Sequence, residues 1–74
     1  MSIKELSDLI GNYFEIDASD FSEDTVLSEF ISDDVELSLL VEAVENEFGV
    51  VISDGTAESW RLLSDVIATL DRMS

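Results

Sequence analysis

The chain of 74 residues contains no cysteine and no histidine. It therefore has no disulfide, no thiolate nucleophile, no imidazole base and none of the sulfur or nitrogen ligands that zinc prefers. Carboxylates remain, but pairs of them arise by chance in an acidic chain, and so small a protein rarely builds the pocket that a catalytic pair needs. We expect no enzymatic activity.

Basic residues are almost as scarce. The chain has 3 lysines and arginines against 18 aspartates and glutamates, and its formal net charge is −15. Lys4, Arg61 and Arg72 are too few and too scattered to neutralise a row of phosphates, so nucleic-acid binding is excluded. The acidic surface is expected to attract basic partner proteins.

Long hydrophobic runs and proline are also missing, and glycine occurs only at positions 11, 49 and 55. No uncharged apolar stretch approaches the roughly 18 residues of a membrane span, and the first residues do not form a signal peptide. Hydrophobic residues nevertheless make up 46% of the chain, which indicates folding rather than disorder. We expect one domain over residues 1–74, cytoplasmic, monomeric and mainly helical.

The first predicted helix begins after Ser2, where Glu5 stands at the capping-box spacing. Its apolar positions recur at steps of three and four: Ile3, Leu6, Leu9, Ile10, Tyr13 and Phe14. An acidic connection over residues 15–25 follows, and we expect it to pack through Ile16 and Phe21. Its acids lack the ligand spacing and the glycine of a calcium-binding EF-hand loop, so no metal site is predicted.

The second predicted helix has the clearest pattern. Asp33 and Glu36 repeat the capping-box spacing, and Gly49 stands where a left-handed cap is needed. Its core stripe is expected to comprise Leu37, Leu40, Val41, Val44 and Phe48.

After an extended segment over residues 50–52, Gly55 and Thr56 begin a short third helix that would hold Ala57 and Trp60. A last helix would bury Leu63, Val66, Ile67 and Leu70, with Arg72 near its C-terminal end. The sequence therefore predicts an all-α fold, a small four-helix bundle whose third helix is short.

One face of the second helix is a candidate docking surface. Val35 and Leu39 lie opposite the core stripe, in one row with Glu42 and Asn46, and are expected to face solvent. An apolar centre with an acidic rim suits a protein-docking surface. The predicted docking residues are Asp33, Asp34, Val35, Glu36, Leu39, Glu42, Glu45 and Glu47. The alternative is a solvated face with two isolated aliphatic residues.

The segment from Phe30 to Phe48 resembles the central part of acyl carrier proteins, in which an Asp-Ser-Leu motif opens an acidic helix that ends in Glu-Glu-Phe or similar. Ile10-Gly11, the acidic connection, Ile52-Ser-Asp and the closing helix also fall where that family has them. The resemblance implies a bundle of acyl-carrier type, whose second helix binds basic patches of synthase or acyl-transfer enzymes.

The resemblance breaks at one position. The family's serine, which carries the 4′-phosphopantetheine arm through a phosphodiester, corresponds here to Asp34. Ser32 lies two residues too early and Ser38 four residues too late. We therefore expect no phosphopantetheine cofactor in this form. Asp34 is either favoured by the helix dipole alone, or supplies a charge near the place where a phosphodiester would supply one.

Two functions from different classes follow. The first is an acyl-carrier-like docking module of fatty-acid, polyketide or related synthesis that carries no arm. It would be either a natural degenerate carrier or an ordinary carrier whose serine was replaced by Asp. The alternative is an acidic decoy that occupies a basic, nucleic-acid-binding surface of a partner.

Trp60 stands where the resembling family usually has an aliphatic residue lining its acyl cavity, and we expect the indole to fill that space.

Overall fold

Four α-helices make up most of the structure, a computed structural model that describes residues 1–73. They are α1 (Ile3–Phe14), α2 (Asp34–Phe48), α3 (Asp54–Glu58) and α4 (Leu63–Met73), with one turn of 3₁₀ helix at Leu27–Glu29. The only β pairing within residues 1–73 is an isolated antiparallel bridge between Val26 and Leu62. The predicted all-α bundle with a short third helix is confirmed.

The predicted helix ends are confirmed for α1 and α2. The Ser2 hydroxyl accepts a hydrogen bond from the Glu5 amide at 3.2 Å, and the Ser2 amide donates to the Glu5 carboxylate at 3.3 Å. Asp33 accepts from the Glu36 amide at 2.9 Å. The Glu36 carboxylate, however, accepts from the amide of Ser32, one residue earlier than a capping box requires.

Helix α1 packs against both α2 and α4 and so lies at the centre of the bundle. Burying a large aliphatic side chain contributes about 1.5–3 kcal/mol. Within the predicted α2 stripe, Leu40 and Val44 are fully buried, whereas the other three residues are half-buried against the core. The buried residues of the three long helices are Leu6, Leu9, Ile10, Leu40, Ala43, Val44, Leu63, Val66, Ile67 and Leu70.

The ends of the helices show their relative directions. Met1 before α1, Phe48 at the end of α2 and Met73 at the end of α4 line one groove. Helices α2 and α4 therefore run parallel to each other, and α1 runs antiparallel to both.

Three aromatic rings fasten the long connection between α1 and α2. Phe14 contacts Phe30 edge to face at 5.5 Å, and Phe21 stacks on Phe30 at 5.2 Å between centroids. Phe21 is thus an anchor, as predicted. Ile16 is not, because it remains 37% exposed. The chain leaves α1 just before it, through Glu15 in the left-handed conformation (φ 54°).

Trp60 lies beyond the end of α3 rather than within it, because α3 ends at Glu58. Its side chain is buried, and its Nε1 donates a hydrogen bond to Thr69 Oγ1 at 2.9 Å. The Thr69 hydroxyl donates in turn to the Asp65 carbonyl at 3.0 Å. The indole therefore fixes the segment after α3 to α4.

Asp65 organises the start of α4. Its Oδ2 accepts hydrogen bonds from the amides of Arg61 and Leu62, both at 2.9 Å. These two bonds hold the pKa of the Asp65 carboxyl below its ordinary value, and the bond from the Leu62 amide has the larger effect.

We expect Gly49→Ala to lower the free energy of unfolding by about 1 kcal/mol, because alanine is strained at the left-handed φ of 65° that ends α2. Gly55→Ala is the matched control. Its added Cβ meets no atom within 4 Å, and alanine within a helix is favoured over glycine by up to about 1 kcal/mol. Urea unfolding followed by circular dichroism measures both, and equal losses would contradict this account of Gly49.

Asp65→Asn is expected to remove a pH-dependent part of the stability. Because the folded pKa is depressed, the carboxylate stabilises the fold above the ordinary value of 3.8, and this stabilisation is lost as pH falls through the lower folded pKa. The stability difference between wild type and variant should therefore be constant from about pH 7 to 5 and shrink below about pH 4. Urea midpoints across this range test it, and a difference that does not change with pH would contradict it.

Candidate functional site

The beginning of α2 presents an exposed carboxylate. Asp34 is the first residue of the helix, directly after the capping residue Asp33. Its side chain forms no hydrogen bond or ion pair with residues 1–73. A negative charge at a helix N-terminus is stabilised by the dipole, typically by about 0.3–1 kcal/mol. The carboxylate is therefore accessible to a cation of a partner.

The predicted apolar centre of the docking row is only partly exposed. Val35 is 77% exposed, in agreement with the prediction that it faces solvent. The same prediction was wrong for Leu39, which is half-buried. Leu39 lies one helical turn before the fully buried Ala43, so it stands at the edge of the face that α2 turns toward the bundle.

Two of the predicted rim carboxylates bind the backbone. Glu36 accepts from the Ser32 amide at 2.6 Å, and Glu45 accepts from the Ile52 amide at 2.7 Å. Both side chains are half-buried, whereas Glu42 and Glu47 are exposed. Glu36 and Glu45 thus hold the segments that enter and leave α2, and they contribute charge to the surface at the same time.

A groove of about 470 Å³ runs between α2 and α3. We call it the α2–α3 groove. It is lined on one side by Asp34, Leu37, Ser38, Val41, Glu42 and Glu45 and on the other by Asp54, Ala57 and Glu58. The sequence pattern did not predict this groove. Its only signal was that α3 is too short to cover the edge of the α2 stripe.

Asp34, the first residue of α2, has a carboxylate and no hydroxyl. Ser32 precedes the capping residue, and Ser38 lies one turn along α2. Within residues 1–73 no three histidine, cysteine, aspartate or glutamate side chains are placed to hold a metal ion. In the same residues no helix is both long and apolar enough to cross a membrane.

Comparison with known proteins points to the family that the sequence resembles. The chain is 29% identical over 65 residues to the acyl carrier protein of Lactobacillus acidophilus, and the aligned region covers 86% of this chain and 81% of that protein. No protein-family model matches the chain. Together with the all-α bundle, the similarity supports an acyl-carrier-like family and role for this protein.

Proposed function

We propose that the protein is an acyl-carrier-like docking module of fatty-acid, polyketide or related synthesis. It binds basic patches of synthase or acyl-transfer enzymes through α2 and has no catalytic activity of its own. The observation that carries the proposal is the similarity to an acyl carrier protein over 86% of the chain. The helical bundle and the exposed acids of α2 support it.

The α2 surface has the two properties that docking requires. The carboxylates of Asp34, Glu42 and Glu47 are not neutralised by any ion pair within residues 1–73, so they attract a basic partner over about a Debye length. Val35, 77% exposed beside them, supplies an apolar contact once the partner has arrived.

Asp34 has a specific role in this proposal. A hydroxyl is needed to form the phosphodiester of the arm, and a carboxylate does not replace it, so the protein docks without cargo. Asp34 supplies a negative charge close to where the phosphodiester would supply one. Partners that recognise that charge are therefore still able to bind.

The wild-type protein is expected to gain no mass when it is incubated with coenzyme A and a promiscuous phosphopantetheinyl transferase. The variant Asp34→Ser restores a hydroxyl at the start of α2 and is the positive control. Intact-mass spectrometry measures both. Addition of one phosphopantetheine unit to the wild-type chain would show that another residue, such as Ser32 or Ser38, accepts the arm.

Asp34→Asn is expected to weaken binding to the cognate partner about threefold, the loss of one exposed ion pair. The partner is first captured from the source cell with the wild-type protein. Titration calorimetry then compares Asp34→Asn with Asp20→Asn, which removes an equal charge from the exposed connection after α1. If Asp34→Asn binds with unchanged affinity, partners do not recognise the charge of Asp34, and its carboxylate serves only to interact favourably with the helix dipole. Capture of nucleic-acid-binding proteins instead of synthesis enzymes would favour the decoy function.

A further inference from the structure

A pocket of about 290 Å³ lies where the segment before α3 meets the end of α4. We call it the α3–α4 pocket. None of its lining residues is acidic, whereas five carboxylates line the α2–α3 groove. In a chain with 18 acidic residues, such a region repels an anion least. The pocket is lined by Val51, Ile52, Thr56, Thr69, Arg72 and Met73, together with the capping residue Ser53.

Arg72 gives the pocket a positive charge. No ion pair within residues 1–73 engages its guanidinium. Its Nη2 lies 3.5 Å from Thr69 Oγ1, on a side chain that is only 5% exposed. The same oxygen accepts from Trp60 Nε1 at 2.9 Å and donates to the Asp65 carbonyl at 3.0 Å. A buried, fully hydrogen-bonded hydroxyl thus positions the guanidinium and leaves most of its N–H donors for a ligand.

The acids that neighbour the pocket in sequence are placed elsewhere. Asp71, next to Arg72, binds the Met1 ammonium at 2.8 Å. Asp54, next to Ser53, lines the α2–α3 groove. Neither forms an ion pair with Arg72, so the charge of the guanidinium is available to an incoming anion.

Thr56 supplies a second hydrogen-bond donor. Ser53 Oγ accepts from the Thr56 amide at 3.3 Å and donates to Thr56 Oγ1 at 2.8 Å. The hydrogen of the Thr56 hydroxyl then has no acceptor within residues 1–73, and its side chain is half-buried in the wall of the pocket. A carboxylate has acceptor oxygens for both the hydroxyl and the guanidinium.

Aliphatic side chains flank these donors. Val51 is 82% exposed and Met73 is 44% exposed. The net charge of −15 and the carbonyl groups at the end of α4 both oppose an anion. A negatively charged ligand therefore needs apolar contacts as well, and these two side chains provide them.

We propose that the α3–α4 pocket binds a small aliphatic carboxylate, such as a medium-chain fatty acid. The carboxylate accepts hydrogen bonds from the planar fork of Arg72 and from the Thr56 hydroxyl, and the alkyl chain covers Val51 and Met73. A larger acidic ligand would bring further negative charges to this protein, so a single charge on an apolar body suits the pocket best. The site lies outside the docking residues of α2 and does not depend on the proposed function.

Titration of the whole ¹⁵N-labelled protein with octanoate, followed by NMR, tests the pocket. We expect saturable shifts of the amide signals of Val51, Thr56 and Arg72. The indole N–H signal of Trp60, the only tryptophan, should move with them, because its hydrogen bond ends on Thr69. Butanoate should bind more weakly, by up to about fourfold for each methylene that no longer contacts apolar surface.

Arg72→Gln is expected to weaken octanoate binding about fivefold, the loss of one exposed ion pair, and to leave binding of neutral octanol unchanged. Arg61→Gln is the matched control, because it removes the same charge from an exposed residue that does not line the pocket. Val51→Ser should weaken binding of both ligands about threefold, since it removes apolar contact alone. Circular dichroism checks that each variant folds.

Four results would overturn the inference. If octanoate moves no signal of the pocket, the site does not exist. If octanol binds the wild-type protein as tightly as octanoate, the pocket does not recognise a carboxylate. If Arg61→Gln weakens octanoate binding as much as Arg72→Gln, the effect follows net charge alone. If the acetylated peptide Gly-Gly-Leu binds more tightly than octanoate, the pocket receives a protein C-terminus rather than a free acid.

Discussion

The packing of α1 against both α2 and α4 is the contact on which the rest of the structure depends. Leu6 and Ile10 are fully buried between the other helices, and the chain has no disulfide to assist them. A net charge of −15 favours expansion by self-repulsion. Burial of one apolar face per helix must outweigh both this repulsion and the chain entropy. The surface of α2 can be acidic only because the opposite, apolar face of the helix is buried against α1.

The acidic side chains of this protein are of two kinds. Several of them accept hydrogen bonds from backbone amides at helix ends and in connections: Glu5, Glu29, Asp33, Glu36, Glu45 and Asp65. The amides that they bind would otherwise need water or another acceptor. The other kind of acid, represented by Asp34 and Glu58, projects from α2 and α3 without a partner within residues 1–73. Glu36 and Glu45 belong to both kinds, because they fix the chain and still carry charge at the surface of α2.

Asp34 and the α2–α3 groove are both consistent with the proposed docking function. Asp34 is an exposed carboxylate at the start of α2, and the surface around it is charged and open. The groove beside Asp34 combines an apolar floor with carboxylates on two helices. Surfaces that combine charge with apolar contact are suited to selective binding.

Local features of the sequence were sufficient to predict the three long helices, whereas the predicted extent of the third helix was wrong because α3 ends at Glu58, before Trp60. Ser2, Asp33 and Gly49 end or begin helices through contacts within four residues, and apolar residues at steps of three and four mark the buried faces. Asp34 was also placed correctly at the start of α2. The tertiary structure alone decided that Leu39 is half-buried, that Ile16 does not anchor the connection, and that Glu45 binds Ile52. The groove belongs to this second group. Caps and periodicity depend on neighbours along the chain, whereas the spacing of two helices depends on side chains distant in sequence that meet only in the folded protein.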